Sequence, residues 1–418
     1  MLAAVSLGVA TAVLGAGPGS AQDSDEVRAL VAEVLADAEA RSSLLRSSGS
    51  GHDGGFHIED PEGAFRLNIG GLIQFRYTYN HIEDEGPDYI DDESGFEVAR
   101  ARLWFSGRVH EDIGYYVRAQ FSGTTPEPGF TDRTLTGVAE LDRAYMDFAL
   151  RDGLHLRAGQ MVSDLTRENE HSPDSQLAAA PSPTDSVFNT GAFTGLQFRA
   201  FGEDTRAYLE LGMGARGARR SFDDSRSADY SLSLKVDRRL AGDWARFGEF
   251  TSFPGSDFAA KIGVGAHWEN GAEVTDPGVD LSIFFGVMEI SLEGDGWNAF
   301  TALHYSRNDY EGDGLDDYGF VVQGGAFFDD HNELFARFDA VFDDDDRAAG
   351  GNGDFRTLAV GWNNYPVAGT TAVRFTVDAQ WFFDAESDSL VNPSTNLAIR
   401  ASAEPDQFAV RAQVSLRF

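Results

Sequence analysis

Apolar and polar residues alternate over an unusually long stretch, from Phe65 to Asn80. Odd positions carry Phe, Leu, Ile and Tyr, and even positions carry mainly Arg, Asn, Gln and Thr. A period of two gives a β-strand two chemically different faces. Strands of soluble proteins usually have about 5–6 residues, whereas a tilted strand needs roughly 9–11 residues to cross a bilayer. The stretch therefore predicts one wall strand of a transmembrane β-barrel, with lipid outside and water inside.

The same alternation recurs along the chain from Phe56 onward, roughly every 20–25 residues. The connections are alternately long and short, and we count about sixteen strands, an even number as in single-chain bacterial barrels. The segments 279–292 and 318–328 alternate less regularly. Short turns are expected on the periplasmic side, so Ala241 to Ser256 is a long connection where a short turn is due. A soluble β-sandwich is the alternative, but it would need shorter strands and could not close one core around so many.

The N-terminal residues have a different pattern. Residues 1–21 are predicted to be a secretory signal peptide, because an apolar stretch leads to a small-residue cleavage site ending at Ala21. Residues 22–48 predict a periplasmic helix, either amphipathic and lying on the barrel or part of a coiled coil. Residues 49–55 are rich in Ser and Gly and predict a linker. Residues 56–418 are then predicted to form the transmembrane β-barrel domain.

Composition narrows the functional class. The 418 residues include no cysteine, and the formal net charge is -35. Such an acidic chain is not expected to bind nucleic acid. No apolar run of about 18 residues follows the N-terminus, so no transmembrane helix is predicted. We also expect no cofactor.

The positive charge is almost entirely arginine, since Lys235 and Lys261 are the only lysines. The alternation places many arginines on the polar, inward faces of the strands. The candidates for pore-lining, anion-binding residues are Arg66, Arg76, Arg100, Arg102, Arg118, Arg143 and Arg157. Rings of arginine favour anions in a narrow pore, and guanidinium binds phosphate or carboxylate through two hydrogen bonds. Alternatively, these arginines pair with acidic residues and only hold the loops in place.

Catalytic and metal sites are not predicted. The acidic runs, such as Asp343 to Asp346, lack the spacing of a calcium loop. Solvated loop charge, or diffuse bridging by divalent cations at a lipopolysaccharide surface, explains them better. The histidines His155, His171, His267 and His304 are scattered, and we interpret each as structural. An enzyme is therefore not expected.

Several motifs resemble the family of phosphate-selective porins O and P. They are found at 65–77, 96–107, 141–147, 156–160, 333–338 and 409–418, the last ending in Phe418. The resemblance implies a sixteen-stranded porin, commonly a trimer, with a periplasmic coil, inward-folded loops and an arginine ladder. The positions matched to that ladder are Arg66, Arg76, Arg100, Arg102 and Arg118. The scarcity of lysine and the acidic loops depart from the phosphate-selective pattern.

Together these features predict a porin of the bacterial outer membrane that moves small solutes passively, with a possible preference for anions or phosphate. Loop Ser163 to Thr190 is the candidate for narrowing the pore. The expected partners are outer-membrane lipid, lipopolysaccharide, small anions and two further copies of the chain in a homotrimer. The alternative is a non-conducting barrel that serves as an adhesin or as a structural protein of the envelope.

Overall fold

The computed structural model describes most of the chain from Gly49 onward. The described residues are 49–52, 56–82, 92–110, 112–121, 139–215, 228–273, 280–310, 313–347, 353–387, 389–391, 397, 400 and 405–418. The predicted signal peptide at 1–21 and the predicted periplasmic helix at 22–48 lie outside them. In the range predicted as a linker, residues 49–52 form a short strand.

Eighteen strands are present in the described part of the chain. They are β1 Gly49–His52, β2 Phe56–Glu59, β3 Phe65–His81, β4 Asp92–Val109, β5 Ile113–Gln120, β6 Glu140–Arg151, β7 Leu154–Val162, β8 Ala192–Phe201, β9 Thr205–Gly212, β10 Tyr230–Ala241, β11 Ala259–Glu273, β12 Asp280–Gly294, β13 Trp297–Tyr310, β14 Asp313–Phe327, β15 Asn332–Phe342, β16 Phe355–Asn364, β17 Val373–Phe382 and β18 Gln407–Arg417. Short α-helices span Arg167–Glu170 and Pro183–Phe188, and 3-10 turns span Pro173–Ser175 and Trp244–Phe247.

Strands β3 to β18 form a closed antiparallel barrel of sixteen strands. Each strand pairs with the next along the chain, and β18 pairs back onto β3. The remaining strands, β1 and β2, form a hairpin beside the end of β3 nearer its first residue, Phe65. The prediction of an all-β barrel of about sixteen strands is confirmed. The two irregular segments, 279–292 and 318–328, belong to β12 and β14.

The barrel has an apolar exterior and a polar interior, the reverse of a soluble protein. Strand β10 shows this clearly, because exposed Leu232, Leu234 and Val236 alternate with buried Ser233 and Lys235. An apolar outer band and a polar lumen are typical of barrels in the outer membrane. Among the described residues, no helix is long and apolar enough to span a membrane.

The last residue closes the seam between β18 and β3. The backbone N–H of Phe418 donates to the carbonyl of Gly71 at 3.1 Å, and the N–H of Gly71 donates back at 2.9 Å. A Cβ atom at position 71 would lie 2.2 Å from the Phe418 ring. A side chain at position 71 would therefore require the Phe418 ring to move.

Residues 163–191, called here the inner segment, fold inside the barrel. Its apolar side chains are almost fully buried and pack against inward-facing residues of the wall. The core members include Leu165, Leu177, Ala178, Ala180, Phe188, Phe285, Val287, Phe300, Val321, Phe335 and Phe355. The loop predicted to narrow the pore thus lies in the lumen.

Candidate functional site in the barrel lumen

Polar side chains of β15 to β17 hold the inner segment by its backbone. Arg337 donates to the carbonyl of Ala180 at 3.0 Å, and Asp378 accepts from the N–H of Ala179 at 3.0 Å. Arg374 likewise donates to the Gln176 carbonyl. Because buried backbone groups need hydrogen-bond partners, these wall residues act as partners of the inner segment. On this half of the barrel, arginine is structural.

A second segment enters from the short-turn end. Residues 242–258 connect β10 to β11 and correspond to Ala241 to Ser256, the long connection that stood out in the sequence. They are called here the periplasmic segment, after the side on which short turns are expected. Phe250 is buried against Phe300, with ring centroids 5.1 Å apart, and its N–H donates to the Ser175 carbonyl at 2.9 Å. The length of the connection was the one sequence signal for this feature. Its packing inside the lumen was not predicted.

The two segments fill the lumen mainly beside β10 to β18. Arg374 and Arg411, on that side, are 0% exposed. The side chains of Arg66 and Arg157, on β3 and β7, keep 26% and 20% of their surface exposed. The candidates Arg66, Arg102, Arg143 and Arg157 are partly exposed, whereas Arg76, Arg100 and Arg118 are 4% exposed or less. The open part of the lumen therefore lies along β3 to β7, beside the partly exposed candidates.

Five of the seven candidate arginines lie within ion-pair distance of a carboxylate, and for Arg102 that carboxylate is Asp142 at 3.9 Å. Arg76 donates to Glu97 at 2.6 and 2.8 Å, and Arg157 donates to Asp147 at 2.7 Å. Arg118 donates to Asp142. Arg66 donates to Asn68 and lies 3.9 Å from the carboxylate of Glu59. The pairing alternative thus describes these five side chains well.

Arg100 and Arg143 have no acidic partner among the described residues, and Arg102 shares its distant one, Asp142, with Arg118. Arg100 is 3% exposed, and its hydrogen-bond partner is the neutral amide of Gln74 at 3.0 Å. Arg102 donates to Gln120 at 2.9 Å, and Asp142 is 3.9 Å away. No described residue forms an ion pair or a hydrogen bond with Arg143, whose buried Nε has no partner.

The register of β4 to β6 brings these side chains together. In the strand register, Arg102 lies opposite Gln120, Trp104 opposite Arg118, and Arg118 opposite Arg143. Side chains of such cross-strand neighbours lie about 5 Å apart on one face. We call Arg100, Arg102, Arg118 and Arg143 the arginine cluster. Asp142, which reaches the lumen through a β-bulge between β5 and β6, is the carboxylate that contacts the cluster.

Two acidic side chains of the inner segment face this side of the barrel, Asp164, which lies 3.5 Å from Arg199 on β8, and Asp174, which lies near the cluster. Asp174 accepts from Arg417 at 3.1 Å, and its charge also acts on Arg100 and Arg102. Burial alone would raise the pKa of Asp174, but Arg417, the Ser172 hydroxyl and Arg374 outweigh it, and the pKa falls below its ordinary value. Asp174 is therefore an anion at neutral pH, and it faces a wall with more positive charges than negative ones.

One hydrogen-bonded chain resembles a catalytic triad, which the sequence did not suggest. Ser233 Oγ lies 2.8 Å from His267 Nδ1, and His267 Nε2 lies 3.1 Å from Glu269 Oε2. All three side chains are buried. The adjoining cavity measures about 10 Å³, which is room for about one water molecule. Since no substrate fits there, we interpret the chain as structural.

No group of three or more His, Asp or Glu side chains in the described ranges is placed to hold a metal ion. In the acidic run at 343–346, Asp344 instead accepts from the backbone N–H groups of Asp316 and Asp346. Arg347 binds Asp317 beside it. Local hydrogen bonds and an ion pair thus organise this loop.

The sequence and the fold were compared with known proteins. A sequence profile of the family described as phosphate-selective porin O and P matches residues 70–233. No curated protein matches the chain.

Among solved structures, in-vitro folded OmpT of Vibrio cholerae is 10% identical, with a TM-score of 0.59, covering 85% of this chain and 98% of that one. The anion-selective porin from Comamonas acidovorans is 10% identical, with a TM-score of 0.58, covering 84% and 99%. The outer membrane channel DcaP of Acinetobacter baumannii is 15% identical, with a TM-score of 0.52, covering 84% and 98%. At these identities the structural likeness concerns the fold alone. With the family match, it identifies the chain as a porin of the bacterial outer membrane, related over residues 70–233 to phosphate-selective porins O and P.

Proposed function

We propose that the channel prefers small anions and that the arginine cluster is the basis of this preference. The observation that carries the proposal is the lack of acidic partners for Arg100 and Arg143 among the described residues. Burying a guanidinium without a counter-charge is costly, so a permeating anion gains energy where the wall supplies no carboxylate. At about 4 Å, two opposite charges attract by about 4 kcal/mol at an effective dielectric constant of about 20.

The channel is passive in this proposal, and its residues bind and release anions without covalent chemistry. Arg102 and Arg143 are the partly exposed members of the cluster and lie on either side of Arg118, so an anion can pass from one guanidinium to the other. Multiple weak sites of this kind allow both entry and exit. Phosphate is one candidate solute, because guanidinium groups match its oxygen atoms.

The test is the reversal potential of purified protein in a planar bilayer under a KCl gradient, with phosphate then added. We expect a reversal potential of the sign given by an anion-selective channel, and a chloride current that phosphate reduces. In Arg143→Ala and Arg100→Ala the reversal potential should shift toward zero. Arg307→Ala is the matched control, because Arg307 is exposed and pairs with Asp316 away from the cluster. A potential on the cation side would contradict the proposal and assign selectivity to the acidic loops.

A non-conducting barrel remains the second candidate, and one observation favours it. The inner and periplasmic segments together fill much of the lumen beside β10 to β18. Absence of any current from folded protein would support an adhesive or structural role.

We further propose a homotrimer, embedded in outer-membrane lipid and lipopolysaccharide through its apolar exterior. The fold is shared with an OmpT structure described as a trimer form. Light scattering of the detergent-solubilised protein tests the stoichiometry, and a monomeric mass would contradict it.

A further inference from the structure

Arginine and aromatic side chains alternate along the wall next to the arginine cluster. We call this set the arginine–aromatic stripe, and its members are Tyr116, Tyr145, Arg157, Phe201, Arg206 and Trp244. The guanidinium of Arg157 lies 4.7 Å from the centre of the Tyr145 ring. That of Arg206 lies 5.2 Å from the Phe201 ring and 4.3 Å from the Trp244 ring. These distances are within the range of cation–π contacts.

The stripe leads from the arginine cluster to the short-turn end of the barrel. Tyr116 pairs with Tyr145 in the register, directly beside the pair Arg118 and Arg143, and the two tyrosine rings stack at 5.4 Å. At the other end, Phe201 is the last residue of β8 and pairs with Arg206 on β9. Trp244 follows in the periplasmic segment. Arg199, two residues before Phe201 on β8, has its guanidinium 4.9 Å from the Phe201 ring and 3.5 Å from the carboxylate of Asp164.

Positive charge is available at both ends of the stripe. Arg143, beside the tyrosines, and Arg206, between Phe201 and Trp244, make no ion pair and no hydrogen bond within the described part of the chain. In the middle, Arg157 is neutralised by Asp147 at 2.7 Å. The rings of Tyr116, Tyr145, Phe201 and Trp244 are half-buried, and the strand register places the first three on the inward faces of their strands.

This arrangement selects a particular class of solute. A guanidinium without a partner binds a carboxylate through two hydrogen bonds, and an aromatic face favours a planar apolar group. Inorganic phosphate would use only the arginines, and a neutral sugar would use only the rings. A planar aromatic carboxylate uses both at once.

We infer that the stripe is a binding track for planar aromatic carboxylates, which it guides between the arginine cluster and the short-turn end. The inference rests on the proposed anion channel and names a solute class for it. Each aromatic contact contributes about 0.5–1.5 kcal/mol beyond area burial, which corresponds to about two- to tenfold in affinity.

The experiment compares benzoate with cyclohexanecarboxylate, which has the same charge and a similar size but no aromatic ring. Binding to the folded protein in detergent is measured by saturation-transfer NMR, which needs no conduction, and block of the KCl current is measured in planar bilayers. We expect benzoate to bind about fivefold or more tightly than the saturated acid, given at least two aromatic contacts. Tyr145→Leu and Trp244→Leu should reduce this ratio toward one, whereas Arg206→Gln should weaken both acids.

The matched control is Tyr318→Leu, because Tyr318 is an exposed aromatic residue on the outer wall, and it should leave the ratio unchanged. Equal affinity for the two acids in the unmodified protein would overturn the inference, as would maltose binding as tightly as benzoate. If the reversal potential indicated cation selectivity but benzoate still bound tightly in detergent, only the anion-channel proposal would be contradicted. If the reversal potential indicated anion selectivity but benzoate and cyclohexanecarboxylate bound equally tightly, only the inference about the stripe would be overturned.

Discussion

Arg167 connects the inner segment to both the barrel wall and the periplasmic segment. Its Nη2 donates to Glu293 at 2.8 Å and to the carbonyl of Glu249 at 2.7 Å. Its guanidinium lies 4.2 Å from the centre of the Phe250 ring. The side chains of Arg167 and Glu293 are both 0% exposed. The substitution Arg167→Ala removes all of these contacts and leaves the buried carboxylate of Glu293 without its cation.

The expected cost follows from the burial of the pair. Removing one partner of a fully buried ion pair costs about 3–5 kcal/mol, because the other charge is left uncompensated. The barrel wall keeps its own backbone hydrogen bonds, so the loss should fall on the docking of the inner segment. A loss of this size raises the population of the undocked segment about a hundredfold to a few thousandfold.

Native-state hydrogen exchange measures this population, because amides exchange from locally opened states. We expect amide exchange in the inner segment of Arg167→Ala to accelerate about a hundredfold to a few thousandfold, while exchange in β13 and β14 changes little. Arg238→Ala is the control, since the Arg238 side chain is 53% exposed and its pair with Asp204 is on the surface. If Arg167→Ala left the inner segment within about threefold of the unmodified rate, equivalent to under about 1 kcal/mol, the reasoning on Arg167 would be refuted.

Two further predictions concern pH and the barrel seam. Burial and the nearby carboxylate of Glu168 raise the pKa of Asp185 to about 7. The folded inner segment therefore holds this proton more tightly than the unfolded segment, so its protection, corrected for intrinsic exchange, should increase from about pH 8 to about pH 6.5. Asp185→Asn should flatten this increase, and an unchanged slope would contradict the assignment. Burial lowers the pKa of His171 to about 4, so an opposing loss of stability is expected only below about pH 6.5. At the seam, Gly71→Val should place its side chain against the Phe418 ring and reduce the folded, heat-modifiable fraction seen by gel electrophoresis. Gly95→Ala, with no atom within 4 Å of the added Cβ, should fold normally, and equal yields of the two variants would refute the steric argument.

The strands were predictable because alternation is local. In β3 and β10, residues two apart share one face, and lipid and water impose opposite polarity on the two faces. The alternation was weak in β14 for a reason that the fold explains. Val321 faces the inner segment rather than water and is fully buried, while Val322 faces outward. Where the lumen is packed with protein, both faces of a strand become apolar.

The individual roles of the arginines were not predictable in the same way. The pattern placed Arg76, Arg118 and Arg143 on the inner face, but the alternatives of anion path and structural pairing stayed open. The choice depends on which carboxylates lie opposite, and this is set by the register between strands. A β-bulge brings Asp142 to Arg118, and strict alternation does not foresee a bulge.

The sequence by itself therefore determined the barrel, its approximate strand number and the polarity of its faces, because these follow from spacing along one strand. The tertiary structure decided which arginines keep a free charge. Arg374 donates a hydrogen bond to the backbone of the inner segment, and Arg157 forms an ion pair with Asp147. Arg143 has no partner among the described residues. The physical reason is that ion pairs form between groups far apart in sequence, at distances of a few ångströms that only the closed barrel and its two inward segments establish.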